Sequence, residues 1–275
     1  MSKNMTGWRV SRDHVPLRGK TLEPYPATRF FDQLSFIGNA NVGCFVLETD
    51  DGFNLIDCME PTVEHRDMIV QGIDDLGLSL ANLKNIIITH GHGDHYGRAD
   101  WFREQTGCTV YMSKADYENA LQDFDSPSGA LKWEIRDFYD DGDVISQGGQ
   151  DVYCFATPGH SPGCMSLLIP VTDMGEEHLV ALWGGTGVPR NKPDMVRYIE
   201  SSIYFEHVVE EYDADCEISQ HPFVDMLLPR LDIIRTITDG VPNPMIVGND
   251  QVRKAIRAFG EMCVKRLYHQ LSEEQ

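Results

Sequence analysis

A mixed α/β fold, two β-sheets packed on each other with helices outside, is what this sequence predicts. Three observations carry that reading. Short strand-like runs are separated by turn residues, one run is wholly apolar, and strands alternate with helical spacing in both halves of the chain.

The elements follow in order. Residues 1–33 contain Pro16, Pro24 and Pro26 and read as an irregular arm. Leu34–Ile37 leads into the strand Cys44–Thr49; Asp50-Asp51-Gly52 is a hairpin turn signal, and Phe53–Asp57 returns. Apolar residues at helical spacing run from Val63 to Leu76 and stop at Gly77. Asn85-Ile86-Ile87-Ile88-Thr89 is the apolar run expected of a strand covered on both faces. A helix near Ala99–Glu104, a strand Thr109–Met112 and a helix Lys114–Leu121 follow. Residues 122–148, rich in Asp and Gly, read as an inserted, partly helical excursion.

The second half repeats the plan, with strands Asp151–Ala156, Cys164–Pro170 and His178–Trp183, a helix over Asp194–Tyr212 and a strand Cys216–Ser219. Helices over Asp225–Ile237 and Asn249–Gln270 close the chain. With no linker, repeat or low-complexity stretch, residues 1–275 are read as one domain, carrying the arm, the insertion and the C-terminal helices over 225–275.

Composition narrows the function. Of 275 residues, 41% are hydrophobic and 24% charged, values of an ordinary globular protein. A net charge of −20 without any Lys/Arg cluster argues against a nucleic-acid partner. No apolar run is long enough for a membrane span, which needs roughly 20 residues. Met1–Arg9 lacks the apolar core of a secretory signal, so a cytoplasmic location is expected. Seven scattered cysteines without a CxxC pair are read as reduced, buried thiols. A small-molecule substrate is the expected partner, and the oligomeric state is left open.

The chemistry is concentrated in two segments. Thr89-His90-Gly91-His92-Gly93-Asp94-His95 follows the apolar strand and places three imidazoles and a carboxylate in six residues. Histidine is a common metal ligand, and a loop at a strand end can turn several ligands inward. On an extended segment His90 and His92 point the same way, and the glycines are expected to permit the tight path that brings Asp94 and His95 round. A solvated His-rich loop is the bland alternative. Later, Thr157-Pro158-Gly159-His160-Ser161-Pro162-Gly163 holds one histidine on a stiff turn.

Together these segments resemble the metallo-β-lactamase superfamily, with its H-x-H-x-D-H motif and its later P-G-H-[ST]-P-G turn, and the order of elements fits over residues 30–221. The resemblance implies a four-layer αβ/βα sandwich with the site at one edge between the sheets. It implies a first zinc on His90, His92 and His160 and a second on Asp94 and His95. Many members bridge the metals with an Asp in a Gly-Asp-Thr segment; here Ala181-Leu182-Trp183-Gly184-Gly185-Thr186-Gly187 puts Gly185 at that position. The departure weakens the readings as a glyoxalase II, an RNase Z-like nuclease or a lactonase of the bridged form. The pattern is more similar to the subclass whose second zinc is held by Asp, His and a final His, with hydroxide as the only bridge. That final ligand is expected to be His221, in Ile218-Ser219-Gln220-His221-Pro222. Asp57 is similar to a family position that supports the metal loop from behind.

The resemblance thus implies a hydrolase with two Zn²⁺ ions, in which a shared hydroxide attacks a carbonyl and Asp94 orients it. The expected substrate is a small amide, lactone or ester, with β-lactam antibiotics as the alternative and an iron-bound redox protein on the same fold as a further one. Trp183, Tyr96 and the loop around 122–148 are expected at the pocket rim. His14, His65, His178, His207 and His269 are expected to be surface or capping residues without partners.

Overall fold

The computed structural model describes residues 23–124, 129–236 and 240–273. Two sheets organise it. The first holds seven strands side by side in chain order: β1 Tyr25–Arg29, β2 Leu34–Gly38, β3 Gly43–Thr49, β4 Gly52–Ile56, β5 Leu83–Ile87, β6 Thr109–Met112 and β7 Asp137–Phe138. Pairing is antiparallel from β1 to β4 and parallel from β4 to β7. The second sheet runs β12-β11-β10-β9-β8, built from β8 Val144–Gln147, β9 Gln150–Ala156, β10 Met165–Asp173, β11 Glu176–Leu182 and β12 Cys216–Ile218. Only its β11–β12 pair is parallel.

The strand period of two sorts the core into layers. Phe36, Phe45, Leu47, Ile56 and Ile87 of the first sheet meet Leu167, Ile169, Val180 and Leu182 of the second in one apolar cluster between the sheets. The intervening residues Ile37, Val46, Leu55 and Ile86 face the other way, onto Met68, Ile69 and Ile73 of α1 (Val63–Asp75) and Phe102 of α3 (Ala99–Thr106). On the far side, Leu168 and Ala181 pack on α5 (Lys192–Glu211) and α7 (Asn249–Glu273) through Met195, Phe205, Ile256 and Phe259. Helices, sheet, sheet, helices is the four-layer sandwich.

Two elements differ from expectation. The end of the arm is not irregular: Tyr25–Arg29 pairs with β2 as an edge strand, where Pro26 withholds no ladder donor that a neighbour needs. The rest of the arm, with His14, lies outside the described residues. Residues 122–148 form no helix among the described residues; they supply β7 and β8, each completing a sheet edge. Elsewhere boundaries fall within a few residues of those expected. All seven cysteines are buried and unpaired. No described helix is long and apolar enough to cross a membrane.

Candidate metal centre

The apolar β5 ends at Ile87, and the chain continues through Ile88 and Thr89 into His90 at the mouth between the sheets. The edges are stitched there: Met165 N donates to Thr89 O (2.9 Å) and Gly43 N donates to Gln220 O (2.8 Å). Loops from β5, from the β9–β10 turn and from the end of β12 therefore converge on one point.

Six side chains gather in two groups. The potential ligand atoms of His90, His92 and His160 lie within 4.8 Å of one another, as do those of Asp94, His95 and His221. The groups share a wall, since the His90 and His95 rings are 3.9 Å apart between centroids. Asp94 Oδ2 lies 3.6 Å from His95 Nε2 and 3.8 Å from His221 Nε2. Contrary to a loop shaped by glycine torsions, Gly93–Tyr96 is a single helical turn, α2, which carries Asp94 and His95, while His92 remains extended at its start. Neither Gly91 nor Gly93 adopts a positive φ.

Four of the five rings are aimed by their second nitrogen. His95 Nδ1 donates to Asp57 Oδ2 at 2.8 Å, His160 Nδ1 to Gly187 O at 2.6 Å, and His221 Nδ1 to Asn41 O at 2.9 Å. His90 Nδ1 lies 3.2 Å from Thr89 Oγ1. Metal-binding histidines are oriented in this way, which leaves Nε2 free to point inward. Asp57 also accepts from Thr89 N (2.8 Å) and from the Thr89 hydroxyl. It adopts φ 63°, a left-handed conformation that Asp tolerates better than most residues. His65, expected to be a surface or capping residue without partners, is buried and has them: it bonds Asn39 and the helix N-cap Thr62, and Asn39 shapes the turn that carries Asn41.

The electrostatics suit cation binding. Burial, and then the neighbouring imidazoles, hold His90 well below the usual histidine range and push His160 down to about 3. Burial also lowers His92 and His221. Burial would lower His95 too, but the Asp94 and Asp57 carboxylates outweigh it and raise this ring. Burial opposes ionisation of Asp94, yet His95, His221 and His92 hold its carboxyl below the usual range. Neutral imidazoles and an ionised carboxylate are the forms that ligate metals. The decisive observation is that His90 Nε2 and His95 Nε2 are buried with no hydrogen-bond partner. Such orphaned polar atoms are costly unless something satisfies them, and a cation between the rings would do so. The residues therefore fit a metal pair.

Gly185 has a spatial role. A Cβ there would lie 2.6 Å from both Cβ and Cγ of His160, and one at Gly187 would lie 2.7 Å from its Cε1. The His160 ring thus occupies the space that a side chain at 185 would need. The Gly185 carbonyl is pinned by Trp183 Nε1 (2.7 Å) and by the Tyr198 hydroxyl (3.0 Å).

Trp183 is consequently not at the rim. It is 1% exposed and stacks on Phe259 under the second sheet. Tyr96, also expected there, is 4% exposed and packs with α3 and Trp133. An aromatic beside the gathered side chains is Phe223, half exposed, its ring 5.5 Å from His221; its sequence signal was proximity to His221. Of the remaining histidines, His207 and His269 are exposed, each facing a carboxylate of its own helix, Glu210 at 3.8 Å and Glu273 at 3.4 Å. His178 does have a partner, Asp215 Oδ2 at 2.6 Å. Cys216 completes a third cluster with that pair, but Asp215 is already occupied by His178, by Leu179 N and by the Cys216 thiol, so the trio pins β11 to β12.

Residues 38–174 match the family model described as the metallo-beta-lactamase superfamily. Among curated proteins, the chain is 28% identical over 110 residues to metallo-beta-lactamase domain-containing protein 1 of Xenopus laevis, covering 40% of this chain and 41% of that protein. It is 28% identical over 159 residues to the N-acyl homoserine lactonase AiiA of Bacillus thuringiensis subsp. kurstaki, covering 50% of this chain and 61% of that protein. The chain thus spans about half the length of these curated relatives. Among solved structures, BJP-1, a subclass B3 metallo-beta-lactamase of Bradyrhizobium japonicum, superposes with a TM-score of 0.77 at 22% identity, covering 93% of this chain and 97% of that one, a likeness of fold. The matched segment contains five of the six gathered side chains, and His221, beyond it, is brought in by the second sheet. On its motifs, its four layers and the matched family model, this chain belongs to the metallo-beta-lactamase superfamily.

Proposed function

We propose that the chain is a dinuclear zinc hydrolase acting on the carbonyl of a small amide, lactone or ester. The observation that carries this reading is the pair of adjoining three-residue groups, with the inward Nε2 atoms of His90 and His95 buried and without a hydrogen-bond partner. His90, His92 and His160 would hold one ion, and Asp94, His95 and His221 the other. Imidazole and carboxylate donors suit zinc. Bound zinc would supply Lewis acidity and a water acidic enough to ionise near neutral pH.

The chain's own residues do the rest. The Asp94 side chain keeps 34% of its exposure, so a carboxylate oxygen reaches the mouth, where it can accept a proton from water and orient it. Phe223 offers an apolar face beside His221 for the body of a substrate. The buried carboxylate of Asp57 holds the His95 tautomer throughout.

Two substrate classes have support. The named activity of the lactonase relative favours a lactone or ester; the fold likeness to BJP-1 favours a β-lactam. A panel of nitrocefin, penicillins, carbapenems, aryl esters and acyl lactones, assayed on zinc-loaded protein, separates them. Turnover of the esters or lactones is expected. Efficient turnover of β-lactams alone, above roughly 10⁴ M⁻¹s⁻¹ in kcat/KM, makes the second class correct. Inactivity of the loaded protein on every member refutes the hydrolase reading.

A further inference from the structure

Asp116 lies in the first turn of α4 (Lys114–Ala120), whose start is capped by Ser113 Oγ accepting from Asp116 N. Its side chain is fully buried, and it is no ligand. One oxygen, Oδ2, accepts from Gly91 N at 2.7 Å and from the Ser161 hydroxyl at 2.7 Å. The other, Oδ1, accepts from Gly163 N at 2.7 Å. Gly91 lies between His90 and His92, whereas Ser161 and Gly163 flank the other side of His160. A single carboxylate therefore ties together the two loops that bring the first group of histidines from opposite sheets.

A second, independent observation concerns the glycines of those loops. A Cβ on Gly91 would come within 2.7 Å of Asp116 O, and one on Gly163 within 2.6 Å of Asp116 N. Both loops are pressed onto the same helical turn, and their motif glycines are the points of contact. Gly91 is needed for this close approach and not for its torsion angles.

We propose that Asp116 is a positioning residue that holds His90 and His92 at a fixed separation from His160, so that the first metal group is preformed before any ion arrives. The inference rests on the metal-centre reading above. It extends that reading to a residue outside both ligand motifs, 21 positions after His95 and 44 before His160 along the chain. Two of the three donors are backbone N–H groups that cannot turn away. Asp116→Asn would place an amide NH₂ against one of them, leaving a buried donor facing a donor. Ser161→Ala removes only the third tie, whose hydroxyl donor no backbone group needs.

The test is a zinc titration of metal-free protein in competition with a chromogenic chelator, together with thermal melting of the same metal-free samples. Asp116→Asn is expected to remain folded and to bind zinc 10- to 100-fold more weakly, the range seen when partners behind metal ligands are removed. Ser161→Ala is expected to weaken binding several-fold. If Asp116→Asn melts earlier but binds zinc as tightly as the parent chain, Asp116 is a fold residue only and the proposal fails. Should Asp116→Asn not fold, unchanged zinc affinity in Ser161→Ala has the same consequence. A parent chain that binds no zinc overturns the metal-centre reading and this inference with it, an outcome distinct from the other two.

Discussion

Oδ2 of Asp57 lies 2.8 Å from Nδ1 of His95, and both side chains are shut off from solvent. The carboxylate fixes the proton on Nδ1 and leaves the Nε2 lone pair directed at Asp94 and His221. Because Asp57 also holds Thr89 N, one side chain sets both the start of the ligand loop and the ring at its end.

Replacing that carboxylate tests the arrangement. Asp57→Asn turns one acceptor into a donor facing either Thr89 N–H or His95. Zinc affinity is expected to fall 10- to 100-fold. The metal-free protein should lose about 1–3 kcal/mol of stability from the unsatisfied buried donor. Competition titration and denaturant unfolding check the two quantities. Unaltered affinity would show that His95 needs no such support.

Occupancy follows from the two groups. Metal-loaded protein should contain close to two zinc ions per chain by elemental analysis. His221→Ala leaves Asp94 and His95 alone around the second position and should bring the count to about one. A count unchanged by the substitution would mean that His221 is not the sixth ligand.

Gly185 makes a prediction that runs against the bridged members of the superfamily. Gly185→Asp should weaken metal binding, because its Cβ would displace the His160 ring. An overpacked buried site of this kind typically loses about 1–3 kcal/mol. Metal content and melting temperature should both fall. Improved zinc retention in Gly185→Asp would show that the ring can yield and that a bridge can be restored.

Acid should act on the metal-free protein in a defined direction. His160 titrates near 3 in the fold, against an ordinary value near 6.5, and His90 is displaced the same way. Between those values the unfolded chain binds more protons than the folded one, so stability rises with pH across that window and is complete above it. One such imidazole contributes about 1.4 kcal/mol per pH unit of difference. Melting temperature should therefore drop as pH is lowered from 6.5 towards 3, and less steeply in His90→Gln. In loaded protein the same protons compete with zinc, so metal should be released on acidification. A melting temperature flat across this window would contradict the assigned burial.

The sequence by itself determined the strand-and-helix alternation and named all six gathered side chains, five from two motifs and His221 from its place after a strand. Hydrophobic period and turn chemistry are local, and His90, His92, Asp94 and His95 are neighbours along the chain. What only the tertiary structure decided are the contacts between distant segments. His221 reaches Asp94 because β12 joins the second sheet beside β11, and Asp116 reaches both ligand loops because α4 lies beneath them. Trp183 and Tyr96 sit near ligands in sequence but turn into the layers behind them, since side chains alternate faces along a strand and rotate around a helical turn. The same cause explains β7 and β8: runs of two and four residues are too short to show a period of their own, and they become strands because a sheet edge is there to pair with.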